Sequence, residues 1–155
     1  MLRTLVSCRR TQINDKYERL LEAVENSRII FTETDSAGIP ANTIRIGKDY
    51  CIFFNESAYE TTAERRVALA HEKAHCDTGA MCSVHTPLQT YEICEAKAWK
   101  RTILDALPFD EMSGEFEKCV YADGLDIYEI ADRLDVTPEF AKMAIEHYHE
   151  RGERW

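Results

Sequence analysis

The sequence predicts an α+β fold that is mostly helical, with a small antiparallel sheet against a central helix and a helical C-terminal part. Apolar residues recur every three or four positions along most of the chain, which is the period of amphipathic helices. Short β-rich runs separated by turn residues occur between residues 27 and 54. A chain of 155 residues is long enough for one domain with a real core. We therefore expect a single domain over residues 1–155, with a core at about 1–110 and a helical extension at about 111–155.

The N-terminal part is expected to form one helix followed by three strands. Residues 14–26 carry apolar side chains at helical spacing, and residues 27–32 contain an Ile-Ile-Phe run that is typical of a strand. Turn residues at 36–40 precede residues 43–46, which alternate in polarity, and residues 50–54 are again β-rich. These strands are expected to pair antiparallel.

A central helix is predicted to begin near Thr61 and to end at Gly79. Thr61 and the acidic residue Glu64 form a typical helix start, because a threonine side chain can cap free backbone N–H groups. Between them and Gly79 the chain contains good helix formers and no proline or glycine.

The rest of the chain is predicted to be helical. Residues 91–107 form one helix closed by a proline, and residues 109–120 form another that is interrupted or bent near Gly114. Residues 127–134 and 137–151 are expected to form two more, the second starting on a Thr-Pro-Glu sequence with a capping hydroxyl and a proline at the first helical position.

The central helix contains an H-E-x-x-H motif at residues 71–75. Residues four apart lie on the same face of a helix, so His71 and His75 can direct two imidazole nitrogens at one metal ion about 2 Å away. Glu72 then lies beside the ion and can take a proton from a water molecule that the ion activates. Apolar residues three and four positions from the histidines place them on the buried side of the helix, where two imidazoles without partners would be costly.

A catalytic zinc needs a third protein ligand and one open position. Glu92 and Glu95, at the start of the following helix, can both face inward, and their periodicity does not choose between them. Thiolates and a further imidazole are also conceivable ligands, although a cysteine ligand is less usual in an open hydrolytic site: Cys76, Cys82, Cys94 and His85. His85 and Tyr91 are close enough in sequence to donate a hydrogen bond to a developing oxyanion.

Composition excludes several classes of function. The net charge of −9 opposes non-specific binding to nucleic acid or to an anionic membrane. The six cysteines are irregularly spaced and form no C-x-x-C motif, so reduced thiols in a cytoplasmic protein are expected. Residues 5–8 superficially resemble a lipoprotein cleavage box, but the apolar stretch before them is too short for an export signal, and no run is long enough to span a membrane.

Residues 68–80, Ala-Leu-Ala-His-Glu-Lys-Ala-His-Cys-Asp-Thr-Gly-Ala, resemble the core of the ImmA/IrrE metallo-endopeptidases. In that family the third ligand opens an E-x-x-A helix that closes with a proline thirteen residues later. Glu95 and Pro108 fit this spacing, whereas Glu92 does not. The resemblance extends over about residues 40–110, with Lys73-Ala74 in place of the usual Leu-Gly and Trp99 where Asn or Asp is common.

The resemblance implies a zincin-like, specifically gluzincin-like, zinc-dependent endopeptidase. One zinc ion per chain would be held by His71, His75 and Glu95, with Glu72 as the catalytic base and no other cofactor. The implied partner is a protein substrate, a helix-turn-helix repressor of a phage or mobile element that undergoes limited proteolysis. Direct contact with nucleic acid or membrane is not expected.

The C-terminal residues suggest an alternative function. Residues 127–145 have the spacing of a helix-turn-helix, which would make the protein a non-catalytic metal-binding regulator acting through its tail. Acidic residues outnumber basic ones in this region, and a recognition helix with Glu139, Glu146 and Glu150 would repel phosphates. A structural helix pair or a docking surface is therefore favoured over a DNA-binding tail.

Overall fold

The computed structural model describes residues 16–35, 38–83, 85–121 and 124–154. Its helices are α1 (Lys16–Glu25), α2 (Thr62–Thr78), α3 (Leu88–Ala106), α4 (Phe109–Phe116), α5 (Ile127–Leu134) and α6 (Pro138–Glu150). Its strands are β1 (Ile29–Glu33), β2 (Ala41–Ile46), β3 (Asp49–Phe54), β4 (Val120–Tyr121) and β5 (Gly124–Leu125). The prediction of a mostly helical α+β fold is confirmed.

The main sheet has the strand order β1-β3-β2 and is mixed, whereas an antiparallel sheet was expected. The β2–β3 pair is antiparallel, but β1 runs parallel to β3, with Ile29 opposite Tyr50 and Glu33 opposite Phe54. The segment between β1 and β2 is long enough to span two inter-strand spacings, about 10 Å. Strand β3 can therefore lie between β1 and β2, and sequence periodicity carries no information about such an insertion.

The alternation of β2 is present, but its polar side faces the interior. Thr43 is buried against α2, whereas Ile44 and Ile46 are 37% and 54% exposed on the other face. Helix α2 packs on the inner face of the sheet through Leu69 and Cys76, which join Ile52 and other apolar residues in one core cluster. This packing brings β2 next to the H-E-x-x-H motif.

A second core cluster joins the C-terminal helices to α2 and α3. Val67 of α2 and Ile103 of α3 lie in the same cluster as Phe140 and Tyr148 of α6. The Arg66 side chain, 6% exposed, reinforces this contact by donating to backbone carbonyls at the C-terminal ends of α3 and α5. Residues 127–150 thus share a core with the helices that carry the motif.

Helix α4 differs from its expected form. It runs through Gly114 without interruption, ends at Phe116 and continues as a short 3-10 turn over Glu117–Cys119. Gly114 is exposed while Met112 is buried, so the glycine costs only about 1 kcal/mol of helix propensity and the packing of the helix outweighs it.

Residues 5–8, where the sequence argued against an export signal, lie outside the described residues. Among the residues that are described, no helix has both the length and the apolar composition needed to cross a bilayer.

Candidate metal centre

Helix α2 holds the two histidines of the motif on one face. It begins with a capping box in which Thr61 accepts from the Glu64 backbone N–H and Glu64 accepts from the Thr61 backbone N–H, as the sequence predicted in part. The Nε2 atoms of His71 and His75 are 3.2 Å apart. One helical turn therefore presents two imidazole nitrogens to the same point.

Glu95 of α3 completes a group of three potential ligands. Its Oε2 lies 3.2 Å from His71 Nε2, and its Oε1 lies 3.3 Å from His75 Nε2. Ligands about 2.05 Å from a tetrahedral ion are separated by about 3.3 Å. The separation of the two histidine nitrogens is close to this value, as is the distance from each of them to one of the two Glu95 oxygens. His71, His75 and Glu95 form the one such His, Cys, Asp or Glu group found among the described residues, and it could hold a metal ion.

His75 is fixed by a backbone contact beyond the helix end. Its Nδ1 is 2.7 Å from the carbonyl oxygen of Ala80, so Nδ1–H donates there and Nε2 keeps its lone pair for a metal. The helix ends at Gly79, whose backbone is left-handed (φ 64°) and turns the chain back toward His75. A side chain at Gly79 would be strained by this φ value, although its Cβ would lie at an ordinary contact distance of 3.5 Å from the Tyr50 hydroxyl.

His71 is held by ring stacking. Its imidazole lies on the indole of Trp99, with ring centroids 3.9 Å apart and planes 25° apart. Burial, together with the neighbouring His75, lowers the pKa of His71 to about 4, so the ring is in the neutral form that binds metals.

Glu72 lies beside the histidines and is oriented by the sheet. The hydroxyl of Thr43 donates to Glu72 Oε2 at 2.6 Å and also lies 3.2 Å from the Glu72 backbone carbonyl. Burial raises the pKa of Glu72, while the Thr43 hydrogen bond opposes that rise. The Glu72 carboxyl is therefore a stronger proton acceptor than an exposed glutamate and has a fixed orientation.

A cavity of about 290 Å³ contains this group. Its walls include residues 41–43 of β2, Met81 and Cys82 of the loop after α2, and Tyr91 of α3. A larger cavity of about 630 Å³ on the other side of α2 contains neither histidine nor Glu95. Of these two cavities, the one at the metal group is where a ligand could reach the motif.

None of the alternative ligands and oxyanion donors proposed from the sequence belongs to the metal group, although Cys82 and Tyr91 line its cavity. Glu92 is exposed on α3 and does not line the cavity, because it lies away from the inward side of α3 that carries Glu95 and Ala98. His85 is also exposed and away from the cavity, whereas Tyr91 lines it. Cys76 is buried in the cluster between α2 and the sheet, and neither Cys82 nor Cys94 belongs to the metal group.

Sequence reasoning missed the contacts of three residues at this site. Thr43 and Ala80 hold Glu72 and His75 through hydrogen bonds, and Trp99 stacks on His71. Only the glycine after the helix gave a local signal, since it indicated a reversal of the chain near Ala80. The roles of Thr43 and Trp99 depend on packing between elements distant in sequence.

The chain matches no protein-family model, no curated protein and no solved structure.

Proposed function

We propose that this protein is a zinc-dependent endopeptidase. The observation that carries the proposal is the set of three separations of 3.2–3.3 Å among His71, His75 and Glu95, next to the partly buried carboxyl of Glu72, which is not part of the ligand group. Two imidazoles, one carboxylate and an open cavity are the ligand set of catalytic zinc in hydrolases. One ion per chain is expected, and a bound zinc ion would polarise a peptide carbonyl and lower the pKa of water toward neutrality.

Glu72 is proposed as the general base. Its position one residue after His71 places the carboxyl at the cavity wall, where it can accept a proton from the attacking water and pass one to the leaving amine. The Thr43 hydrogen bond to Oε2 leaves Oε1 free to face the water, since no partner of Oε1 occurs in the described part of the chain. The raised pKa of Glu72 favours proton uptake near neutral pH.

Tyr91 is the better of the two proposed donors to the oxyanion. It lines the cavity and is 46% exposed, so its hydroxyl is accessible to a substrate. His85 is proposed to have no part in the reaction because it lies outside the cavity.

The resemblance supports three further proposals. The substrate is a helix-turn-helix repressor that undergoes limited proteolysis, the protein is located in the cytoplasm, and it is a member of the ImmA/IrrE peptidases. The acidic residues Glu139, Glu146 and Glu150 all lie on the exposed face of α6, which supports the expectation that the tail does not bind DNA.

The test combines metal analysis with an unbiased cleavage assay. Purified protein is expected to hold one zinc ion, and to cleave a mixture-based peptide library in a reaction that a chelator abolishes, with products read by mass spectrometry. Glu72→Gln should keep the zinc and lose activity by about 10²–10⁴-fold, whereas the exposed control Glu92→Gln should retain both.

Three outcomes would count against the proposal. Protein without stoichiometric metal would remove its basis, and an active Glu72→Gln variant would refute the role of the base. Zinc binding without cleavage of either the library or a co-purified repressor would favour the non-catalytic regulator instead.

A further inference from the structure

The two histidines of the metal group are supported in different ways. His75 donates from Nδ1 to Ala80, whereas the Nδ1 atom of His71 is buried and has no hydrogen-bond partner among the described residues. An imidazole that binds a metal through Nε2 carries its proton on Nδ1, and ligand histidines nearly always donate that proton to an acceptor. His71 therefore lacks the hydrogen bond that usually fixes the orientation of a ligand imidazole.

Trp99 occupies the face of that ring. A centroid separation of 3.9 Å and an interplanar angle of 25° describe a stacked pair of rings. Rotation of His71 about its side-chain bonds would break this contact, so the stack restricts the direction in which Nε2 points.

The indole is in turn held by the C-terminal part of the chain. Its centroid lies 6.0 Å from that of Phe140, a residue of α6 that is 2% exposed in the second core cluster. A continuous series of rings thus runs from Phe140 through Trp99 to His71. It gives helix α6 a physical connection to the metal group.

The His71 ring stacks on Trp99, and its Nδ1 has no hydrogen-bond partner among the described residues. From this we infer that Trp99 is a positioning residue of the metal site, and that Phe140 of the C-terminal helix holds it in place. The inference rests on the proposed metal site. It assigns the C-terminal helices a role in maintaining metal affinity, in contrast to recognition of DNA.

The test measures zinc affinity by competition with a chromophoric chelator, alongside thermal unfolding of the metal-free variants. Trp99→Leu keeps apolar volume and removes the stack, so its affinity should fall by about 10- to 100-fold, the range for lost support of a metal ligand. Trp99→Phe retains an aromatic face and should recover most of that loss. Phe140→Leu should weaken binding by less than Trp99→Leu, because it loosens the indole without removing it.

Phe109→Leu is the matched control. Phe109 packs on Tyr148 in the same core cluster, with ring centroids 5.2 Å apart. Its replacement should lower thermal stability and leave zinc affinity unchanged. A second readout uses a Trp155→Phe background, in which Trp99 is the sole tryptophan of the chain. Its fluorescence should be quenched on titration with Co²⁺, because a bound ion would be separated from the indole by one imidazole.

The outcomes separate this inference from the proposed function. If Trp99→Leu folds and binds zinc as tightly as the unmodified protein, or if Phe109→Leu weakens binding equally, Trp99 does not position His71. If Trp99→Leu does not fold, the test rests on Trp99→Phe. The inference is then overturned if Trp99→Phe loses as much zinc affinity as His71→Ala does. An unmodified chain that binds no zinc would instead contradict the proposed function itself.

Discussion

Removal of the Glu95 carboxylate is expected to abolish tight zinc binding, while removal of Glu92 from the same helix leaves it unchanged. Each carboxylate oxygen of Glu95 lies 3.2–3.3 Å from one histidine nitrogen, so this residue closes the triangle of ligands. Structural zinc sites with four ligands bind with about 10–16 kcal/mol, or roughly 3 kcal/mol per ligand. Glu95→Ala should therefore lose affinity by more than about 100-fold.

The assay is a zinc competition titration at neutral pH, with thermal unfolding in excess zinc as an independent readout. A 100-fold loss of affinity reduces the stabilisation by bound zinc by about 2.7 kcal/mol, because ligand-linked stability follows the logarithm of the ratio of concentration to dissociation constant. Glu92→Ala, whose side chain is exposed outside the cavity, should match the unmodified protein in both measurements. The proposed ligand set would be refuted if the zinc affinity of Glu95→Ala lay within about threefold of that of the unmodified protein. It would also be refuted if Glu92→Ala lost as much zinc affinity as Glu95→Ala.

Two further predictions follow from contacts between distant elements. Arg66→Met should destabilise the protein by about 3–5 kcal/mol in urea unfolding, because it removes three hydrogen bonds from a buried, charged side chain to carbonyls 2.7–2.8 Å away. The exposed control Arg101→Met, which loses one i,i+4 ion pair, should cost less than about 1 kcal/mol, and similar values for the two variants would contradict this reasoning. Thr43→Val removes a donor that stabilises the ionised form of Glu72, so the Glu72 pKa should rise further and the acid limb of the kcat/KM profile should move to higher pH. Thr43→Ser should restore the original profile, and an unchanged acid limb in Thr43→Val would show that the hydroxyl does not tune the base.

Local sequence signals were sufficient for the helices and for part of the metal group. The capping box at Thr61 and Glu64 and the left-handed glycine at residue 79 bound α2, because both depend on interactions within one turn of chain. The four-residue separation of His71 and His75 places both rings on one face for the same reason. The choice between Glu92 and Glu95 was not available from periodicity, since both occupy the same turn of α3; the resemblance favoured Glu95, the residue that lies with the histidines.

The sequence by itself therefore determined the helical composition, the central helix and the pair of imidazoles, all of which depend on neighbours within about four residues. Tertiary structure decided the parallel pairing of β1, the inward direction of Thr43, the stack of Trp99 on His71 and the capping of two helices by Arg66. Each of these contacts joins residues that are more than 20 positions apart in the chain. Their geometry is set by how whole helices and strands pack, and no local pattern of residue types encodes it.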